Sequence, residues 1–186
     1  MHILAISPGS GLDPARWQQI FDSGVDALMI REPALGAREL LGAACWVRDR
    51  APDLECWVNG RLDVALAAGC GLHAPERHPP VPPDLVPLSR PIHHPDQVPE
   101  RSGARQLIFS PIFPVPGKGP AWGVARLHAI LDQLPPLGCR ILALGGITPS
   151  RAAALGHPRL DGVALMRSLW SAPDPAGTVA RLRAAW

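Results

Sequence analysis

Short apolar segments alternate with helix-forming segments along the whole chain. The clearest unit begins with the unbroken apolar run 141–144, which is typical of a strand buried on both faces of a parallel sheet. Gly145 and Gly146 follow it, and then come Thr148, an N-cap residue type, and Pro149, which suits the first position of a helix. Because such units repeat, they predict a parallel sheet. Eight strands in one small domain, residues 1–186, predict a single (β/α)₈ TIM barrel.

The predicted barrel is compact because one helix is replaced by a loop. Strands are predicted at residues 2–6, 26–31, 55–59, 71–74, 85–88, 106–110, 141–144 and from 160 onwards. The segment 78–84 contains four prolines and cannot form a helix, since proline removes an amide donor and restricts the residue before it. A proline-rich connector therefore stands where the fourth helix is expected. This explains part of the difference between 186 residues and the roughly 250 of an average barrel.

Composition argues against several classes of partner. The net charge is +2 with 18% charged residues, so no basic stripe indicates nucleic-acid binding. The longest apolar runs fall well short of the ~20 residues that span a bilayer, and the first residues lack the features of a signal peptide. The four cysteines, Cys45, Cys56, Cys70 and Cys139, form no CxxC pair, and we interpret them as reduced core residues. We therefore expect a cytoplasmic protein without a membrane partner.

Polar residues cluster at the carboxyl ends of the predicted strands, where barrel enzymes place their active sites. In chain order they are Arg31 and Glu32, Asn59, His73, His93, Lys118, Gly145 and Gly146, and Arg167. Lys118 is the single lysine and lies in a Pro/Gly-rich loop, residues 111–122.

The turns after strands 7 and 8 predict a phosphate site. Amide N–H groups of Gly145 and Gly146 precede a helix, and an anion is favoured at a helix N-terminus. The next strand ends in Met166 and Arg167, and a guanidinium is a charge-assisted partner for phosphate. Barrels often bind phosphate at these two neighbouring turns.

Five segments in order carry a resemblance to a known family over nearly the whole chain. They are Ile30-Arg-Glu32, Val58-Asn-Gly-Arg-Leu-Asp-Val-Ala-Leu66, Pro111-Ile-Phe-Pro114 with Lys118, Leu142-Ala-Leu-Gly-Gly-Ile-Thr-Pro149, and Asp161-Gly-Val-Ala164. In these segments the chain resembles the thiamine phosphate synthase/thiazole tautomerase (TenI) superfamily. The resemblance implies a role in thiamine biosynthesis, a phosphorylated thiazole as ligand, and a homo-oligomer.

Within that superfamily the chain looks closest to the tautomerase branch, whose members aromatise a thiazole carboxylate phosphate by moving a proton without a metal. The synthase branch is expected to hold Mg²⁺ with two aspartates, where this chain has Gly60 and residues near Arg77 and His78. Asn59-Gly-Arg-Leu-Asp63 instead resembles the tautomerase segment. We therefore predict a thiazole tautomerase with no metal or cofactor, and Mg²⁺ only under the synthase alternative.

The tautomerase prediction leaves the proton carrier open. The branch's histidine after strand 6 aligns with Pro111, so the acid/base candidates are His93, then His73, then Glu32, each weighed against a structural role. Two alternatives also stay open. One is thiamine phosphate synthase, and the other is a non-catalytic binder of thiazole phosphate, which Pro111 favours.

The resemblance also assigns substrate contacts. Arg31 and Lys118 are predicted to pair with the substrate carboxylate, and Asn59 to hydrogen-bond near the ring. Gly145, Gly146, Met166 and Arg167 are predicted to hold the phosphate.

Overall fold

Eight parallel strands close into a barrel in the order of the sequence, each paired with the next and β8 with β1. This computed structural model describes residues 1–101 and 103–186. The strands are β1 His2–Ile6, β2 Ala27–Ile30, β3 Glu55–Asn59, β4 Gly71–His73, β5 Leu88–Ile92, β6 Gln106–Phe109, β7 Arg140–Leu144 and β8 Gly162–Leu165. The predicted (β/α)₈ barrel is confirmed.

Helices cover the outside of the barrel between most strands. They are α1 Pro14–Phe21, α2 Ala37–Arg50, α3 Leu62–Ala68, α4 Val98–Arg101, α5 Val124–Gln133, α6 Pro149–Ala152, α7 Arg167–Trp170 and α8 Pro175–Ala185. Short 3₁₀ turns precede α4 and follow α6. Residues 74–87, all of them described, form turns and extended loop between β4 and β5, so the proline-rich connector replaces a helix as predicted.

The core has two layers because side chains along a strand alternate between the two faces of a sheet. Side chains inside the barrel form a small apolar cluster: Leu4, Ile6, Ala27, Met29, Trp57, Ile108, Leu142 and Ala164. A larger cluster fills the space between the strands and the surrounding helices, and it includes Trp17 and Ile20 of α1. The α1 N-terminus is capped by Asp13, whose carboxylate accepts from the amides of Ala15 and Arg16.

The predicted position of β5 is wrong by about three residues. The apolar run 85–88 suggested the strand, but Leu85 is 48% exposed and the ladder begins at Leu88, which pairs with Leu72. The strand continues through Arg90 and Pro91, although a proline within a strand is disfavoured because it cannot donate to the ladder. Pairing with both neighbouring strands therefore overrides local propensity here.

Two further expectations need correction. The apolar run that starts at residue 160 forms a strand only over Gly162–Leu165, and Arg167 begins α7 instead of ending the strand. Cys45 is exposed on α2 and Cys139 is half-buried, so only Cys56 and Cys70 are core residues. None of the helices in the part of the chain that the structure describes combines the length and hydropathy needed to cross a bilayer.

Candidate active site

The carboxyl ends of all eight strands meet at one rim, because the strands are parallel and the barrel is closed. Strand β7 pairs with β8 through Leu142–Gly162, Ala143–Val163 and Leu144–Ala164. The chain therefore leaves the barrel at two adjacent points, after Leu144 and after Leu165. The glycine turn and the Met166–Arg167 turn lie side by side, as a shared phosphate site requires.

The glycine turn is held in a conformation that excludes larger residues. Gly145 and Gly146 have φ angles of +108° and +64°. A Cβ on Gly145 would lie 2.9 Å from Pro111 Cα, and one on Gly146 would lie 2.8 Å from Phe113 Cβ. Both positions therefore need glycine for conformation and for space. The loop after β6 packs directly on this turn.

Hydrogen bonds to the turn use its carbonyl groups. The amides of Ile112 and Phe113 donate to the carbonyl oxygens of Leu144 and Gly145 at 2.9 and 3.0 Å. Within residues 1–101 and 103–186, no backbone carbonyl accepts the N–H of Gly145 or Gly146. These amides are the donors that an anion at the rim would meet.

Arg151 adds positive charge beside the glycine turn. Its Nη1 donates to the carbonyl oxygen of Gly146 at 2.7 Å, and its guanidinium lies 5.0 Å from the centre of the Phe113 ring. Nothing in the sequence marks Arg151 as a site residue, because an arginine in the first turn of a helix usually faces solvent.

The turn after β8 is fixed from below by α1. The Arg16 guanidinium donates to three carbonyl oxygens at the end of α7 and just after it. They belong to Leu169, Trp170 and Ala172, at 3.1, 2.5 and 2.7 Å. Arg167 itself is exposed at the first position of α7, and Met166 is half-buried at its N-cap. Arg167 is thus held at the rim with its side chain accessible to a ligand.

Glu32 is buried at the end of β2 and holds the loop after β1. Its two carboxylate oxygens accept from the amides of Gly9 and Gly11 at 3.3 and 2.7 Å. The Arg61 guanidinium, after β3, pairs with Asp63 at 2.6 Å. The geometry therefore gives Glu32 a structural role in shaping the rim.

Arg31 follows β2 and is half-buried. Its amide donates to Ser7 Oγ at 2.8 Å, and its guanidinium lies over Gly9. Lys118 is exposed on the opposite part of the rim, in a turn where its amide donates to the carbonyl of Val115. The loop that carries Lys118 is closed at its base by the amides of Trp122 and Gly123, which donate to Pro111 and Ile112.

Asn59 and His73 end β3 and β4 and are direct lateral neighbours. His73 is 9% exposed, and its Nδ1 lies 2.9 Å from Ser89 Oγ. Burial lowers the pKa of His73 to about 3, with smaller contributions from the positive charge of Arg90 and from His93. The imidazole is therefore neutral at physiological pH, and the proton exchange proposed for it from sequence loses its main support.

His93 follows β5 and is half-buried. Its Nδ1 lies 2.9 Å from the carbonyl oxygen of Ser110, and its amide donates to Gln97 Oε1 at 2.8 Å. Both histidines are site residues predicted from the sequence, whereas Ser89 and Ser110, which bind them, are not. Ser89 was missed because β5 was placed before it.

The residues at the rim do not fit a magnesium site of the kind that the synthase resemblance implies. Across the described residues, no three His, Cys, Asp or Glu side chains are grouped so that they could hold a metal ion. Gly60 has a φ of +71° beside Pro75, and His78 Nδ1 bonds to the carbonyl of Pro79. Mg²⁺ prefers carboxylate oxygen ligands, which neither position supplies.

The barrel and its paired turns define a (β/α)₈ protein with a rim suited to a phosphorylated ligand. The family model described as thiamine monophosphate synthase matches residues 6–169 of the chain. The chain belongs to this family. The thiamine-phosphate synthases of Moorella thermoacetica and Laribacter hongkongensis are 30% and 32% identical to it over 176 and 178 residues. These alignments cover 86% and 87% of this chain and 81% of each relative.

Solved structures agree on the fold. The thiamine phosphate pyrophosphorylase from Pyrococcus furiosus superposes with a TM-score of 0.85 at 20% identity, covering 99% of this chain and 94% of that one. The 3-hexulose-6-phosphate synthase from Salmonella typhimurium gives a TM-score of 0.68 at 18% identity, covering 100% and 98%.

The relatives correct the functional prediction made from sequence. That prediction favoured a tautomerase, an isomerase, on the strength of Asn59-Gly-Arg-Leu-Asp63 and the missing aspartates. The matching relatives are named thiamine-phosphate synthases, which are transferases. A short segment and two absent residues weighed less than similarity spread over the whole chain.

Proposed function

We propose that this protein is a thiamine-phosphate synthase that joins a thiazole phosphate to a hydroxymethylpyrimidine diphosphate. In this reaction the thiazole nitrogen forms a bond to the pyrimidine methylene carbon. The bond from that carbon to the diphosphate oxygen breaks, and pyrophosphate leaves with the electron pair. Supporting this are the family membership and two relatives of the same name that are at least 30% identical.

The single structural observation that supports it best is the adjacency of the turns after β7 and β8. Amides of Gly145 and Gly146, with Arg167 from the next strand end, form a seat for the thiazole phosphate. Arg151, which bonds to the carbonyl of Gly146, adds to the positive potential there. Met166 lies between the seat and the barrel interior.

The second substrate would occupy the rest of the rim. Arg31 and Asn59 lie at the ends of β2 and β3, and Lys118 lies on the loop after β6. The two cations are the groups here that can pair with diphosphate oxygens, and the leaving group needs such pairing. Because the described residues of the rim form no carboxylate site for Mg²⁺, we assign this charge compensation to the side chains alone.

Turnover of the two substrates by the purified protein tests the proposal. Thiamine phosphate and released pyrophosphate are quantified in parallel, with Mg²⁺ present and with a chelator. We expect the two products in equal amounts. Absence of both products under every condition would contradict synthase activity.

A non-catalytic binder of thiazole phosphate is the second candidate, and Gly60 favours it because that position lacks the carboxylate of the synthase pattern. Titration calorimetry with thiazole phosphate, together with the turnover assay, separates the two candidates. Binding without turnover would identify a binder, whereas binding with turnover identifies the synthase.

A further inference from the structure

A row of polar side chains runs along the inner wall of the barrel, from the rim to the opposite end. His73, Ser89, Gln106 and Arg140 lie on four successive strands and are lateral partners in the ladder: His73 pairs with Ser89, Ser89 with Gln106, and Gln106 with Arg140. Lateral partners in a parallel sheet face the same side, so all four side chains point inward.

The row descends because barrel strands are staggered. His73 is the last residue of β4, whereas Gln106 and Arg140 are the first residues of β6 and β7. The in-register line therefore starts at the rim and ends at the amino-terminal end of the strands, which we call the floor of the barrel. Ser89 and Gln106 are both fully buried midway along it.

At the floor the row ends in an ion pair. Arg140 Nη1 lies 2.6 Å from Glu55 Oε2, and the same Nη1 lies 3.4 Å from Gln106 Oε1. Arg105 Nε approaches the other oxygen of Glu55 at 3.5 Å. A guanidinium has donors and no acceptor, so the part of the Gln106 amide that faces Arg140 is the oxygen.

This orientation sets the direction of the hydrogen bond between Gln106 and Ser89, and the burial of Ser89 sets that of the next one. With its oxygen towards Arg140, Gln106 donates from Nε2 to Ser89 Oγ at 3.0 Å. Ser89 is fully buried, and among the described residues its hydroxyl proton has one acceptor within reach, His73 Nδ1, 2.9 Å away. An imidazole nitrogen that accepts a hydrogen bond carries no proton. A neutral His73 therefore carries its proton on Nε2.

We propose that the Arg140–Glu55 pair, acting through Gln106 and Ser89, fixes the tautomer of His73 so that its Nε2–H is a hydrogen-bond donor at the rim. Gln106 and Ser89 are positioning residues, and the donor serves an acceptor atom of a bound substrate. Strand β4 is four strands from β8, on the opposite side of the barrel from the phosphate seat. On the proposed function, His73 therefore meets the pyrimidine diphosphate.

The substitution Gln106→Glu tests the direction of the row. The side chain keeps its shape, but an ionised carboxylate beside Arg140 only accepts, so Ser89 must donate to it. Ser89 Oγ then accepts from His73 Nδ1, and the imidazole proton moves from Nε2 to Nδ1. Nitrogen-15 NMR of the histidine rings identifies the protonated nitrogen directly. We expect Nε2–H in the native protein and Nδ1–H in Gln106→Glu.

Native protein with Nδ1–H, or a Gln106→Glu variant with an unchanged tautomer, would overturn the proposal. Ser89→Ala provides a second test if the carboxylate prevents folding. Removing the hydroxyl should release His73 into a mixture of both tautomers, and a pure Nε2–H form in this variant would also overturn it. Ser23→Ala is the matched control. Ser23 is a buried serine whose hydroxyl donates to the carbonyl of Ile20, and its loss should leave the His73 spectrum unchanged.

The substrate contact is measured in the same spectra. Hydroxymethylpyrimidine diphosphate, hydroxymethylpyrimidine, pyrophosphate and thiazole phosphate are each added separately. We expect the His73 Nε2–H signal to shift with the pyrimidine diphosphate, and the two fragments identify whether the ring or the diphosphate is the acceptor. A shift with thiazole phosphate alone, or with none of them, would refute the assigned contact. The tautomer is read without substrate, so it is tested independently of turnover.

Discussion

The Nδ1 atom of His93 lies 2.9 Å from the backbone carbonyl oxygen of Ser110, which joins the end of β5 to the end of β6. A carbonyl oxygen only accepts, so Nδ1 carries the proton, and Nε2 of the neutral ring is unprotonated. His93 therefore presents an acceptor at the rim, whereas His73 on the neighbouring strand presents a donor. Two adjacent histidines with opposite tautomers can bind a substrate edge that contains both a donor and an acceptor.

Two substitutions of His93 separate its two nitrogens. Asparagine reaches Ser110 but has no group at the position of Nε2, whereas the longer glutamine reaches towards the Nε2 position. If Nε2 contacts the substrate, His93→Asn should lower kcat/KM on the order of tenfold, and His93→Gln should lower it less. Steady-state kinetics with varied pyrimidine diphosphate measure both. The opposite ranking would mean that the bond to Ser110 matters more than the free nitrogen.

The glycine turn makes a second prediction. At Gly146 an added Cβ would meet Phe113 Cβ at 2.8 Å in a backbone of φ +64°, so Gly146→Ala combines a clash with an unfavourable conformation. We expect about 1–3 kcal/mol of destabilisation in urea unfolding and weakened thiazole phosphate binding. Gly42→Ala is the control, because Gly42 lies inside α2 with nothing within 4 Å of the added Cβ. It should stabilise the protein by about 0.5–1 kcal/mol and leave binding unchanged. Equal effects at the two positions would contradict the role of the turn.

Arg167 makes a third prediction. Its guanidinium is exposed at the start of α7, beside the glycine turn, so Arg167→Ala should raise the Kd for thiazole phosphate several-fold, up to about tenfold. Because exposed charges are screened by salt, the difference should shrink as ionic strength rises. Arg50→Ala removes an equal charge at the C-terminus of α2, at the other end of the barrel, and should leave Kd unchanged. An unchanged Kd in Arg167→Ala would mean that Arg167 does not bind the phosphate.

The sequence was sufficient for the architecture because each βα unit carries its own local signals. Apolar runs and the glycines after β7 are short-range features, and the predicted bounds of β1 and β3 coincide with the observed ones. The predicted position of β5 was wrong because two neighbouring strands place Arg90 and Pro91 in a ladder. A local sequence pattern carries no information about such neighbours.

The candidate site was predictable only as a set of strand ends. Arg31, Asn59, His73 and His93 each end a strand or directly follow one, so their common rim could be inferred. What each side chain does depends on partners distant in sequence. Glu32 bonds to Gly9 and Gly11, and the direction of the His73 bond is set through Gln106. The predicted cytoplasmic location and self-association stay predictions.

Burial of His73 makes the fourth prediction, which concerns stability and pH. Burial lowers the pKa of its imidazole to about 3 in the folded protein, against about 6.5 in the unfolded chain. Above pH 6.5 both states are neutral and stability is unaffected. Below it, the unfolded chain binds a proton that the folded protein does not, so the free energy of unfolding falls by about 1.4 kcal/mol per pH unit until the folded pKa is reached.

Urea unfolding at several pH values between 6.5 and 5 measures this slope in the native protein and in His73→Asn. His2 also has a lowered pKa, first because of burial and then because of Arg140, and it contributes the same slope to both proteins. The difference between the two slopes therefore isolates His73. We expect the slope of the variant to be smaller than that of the native protein by up to about 1.4 kcal/mol per pH unit, a difference that is largest near pH 5. Parallel curves would mean that His73 is protonated in the folded barrel, because a charged ring contributes no such term.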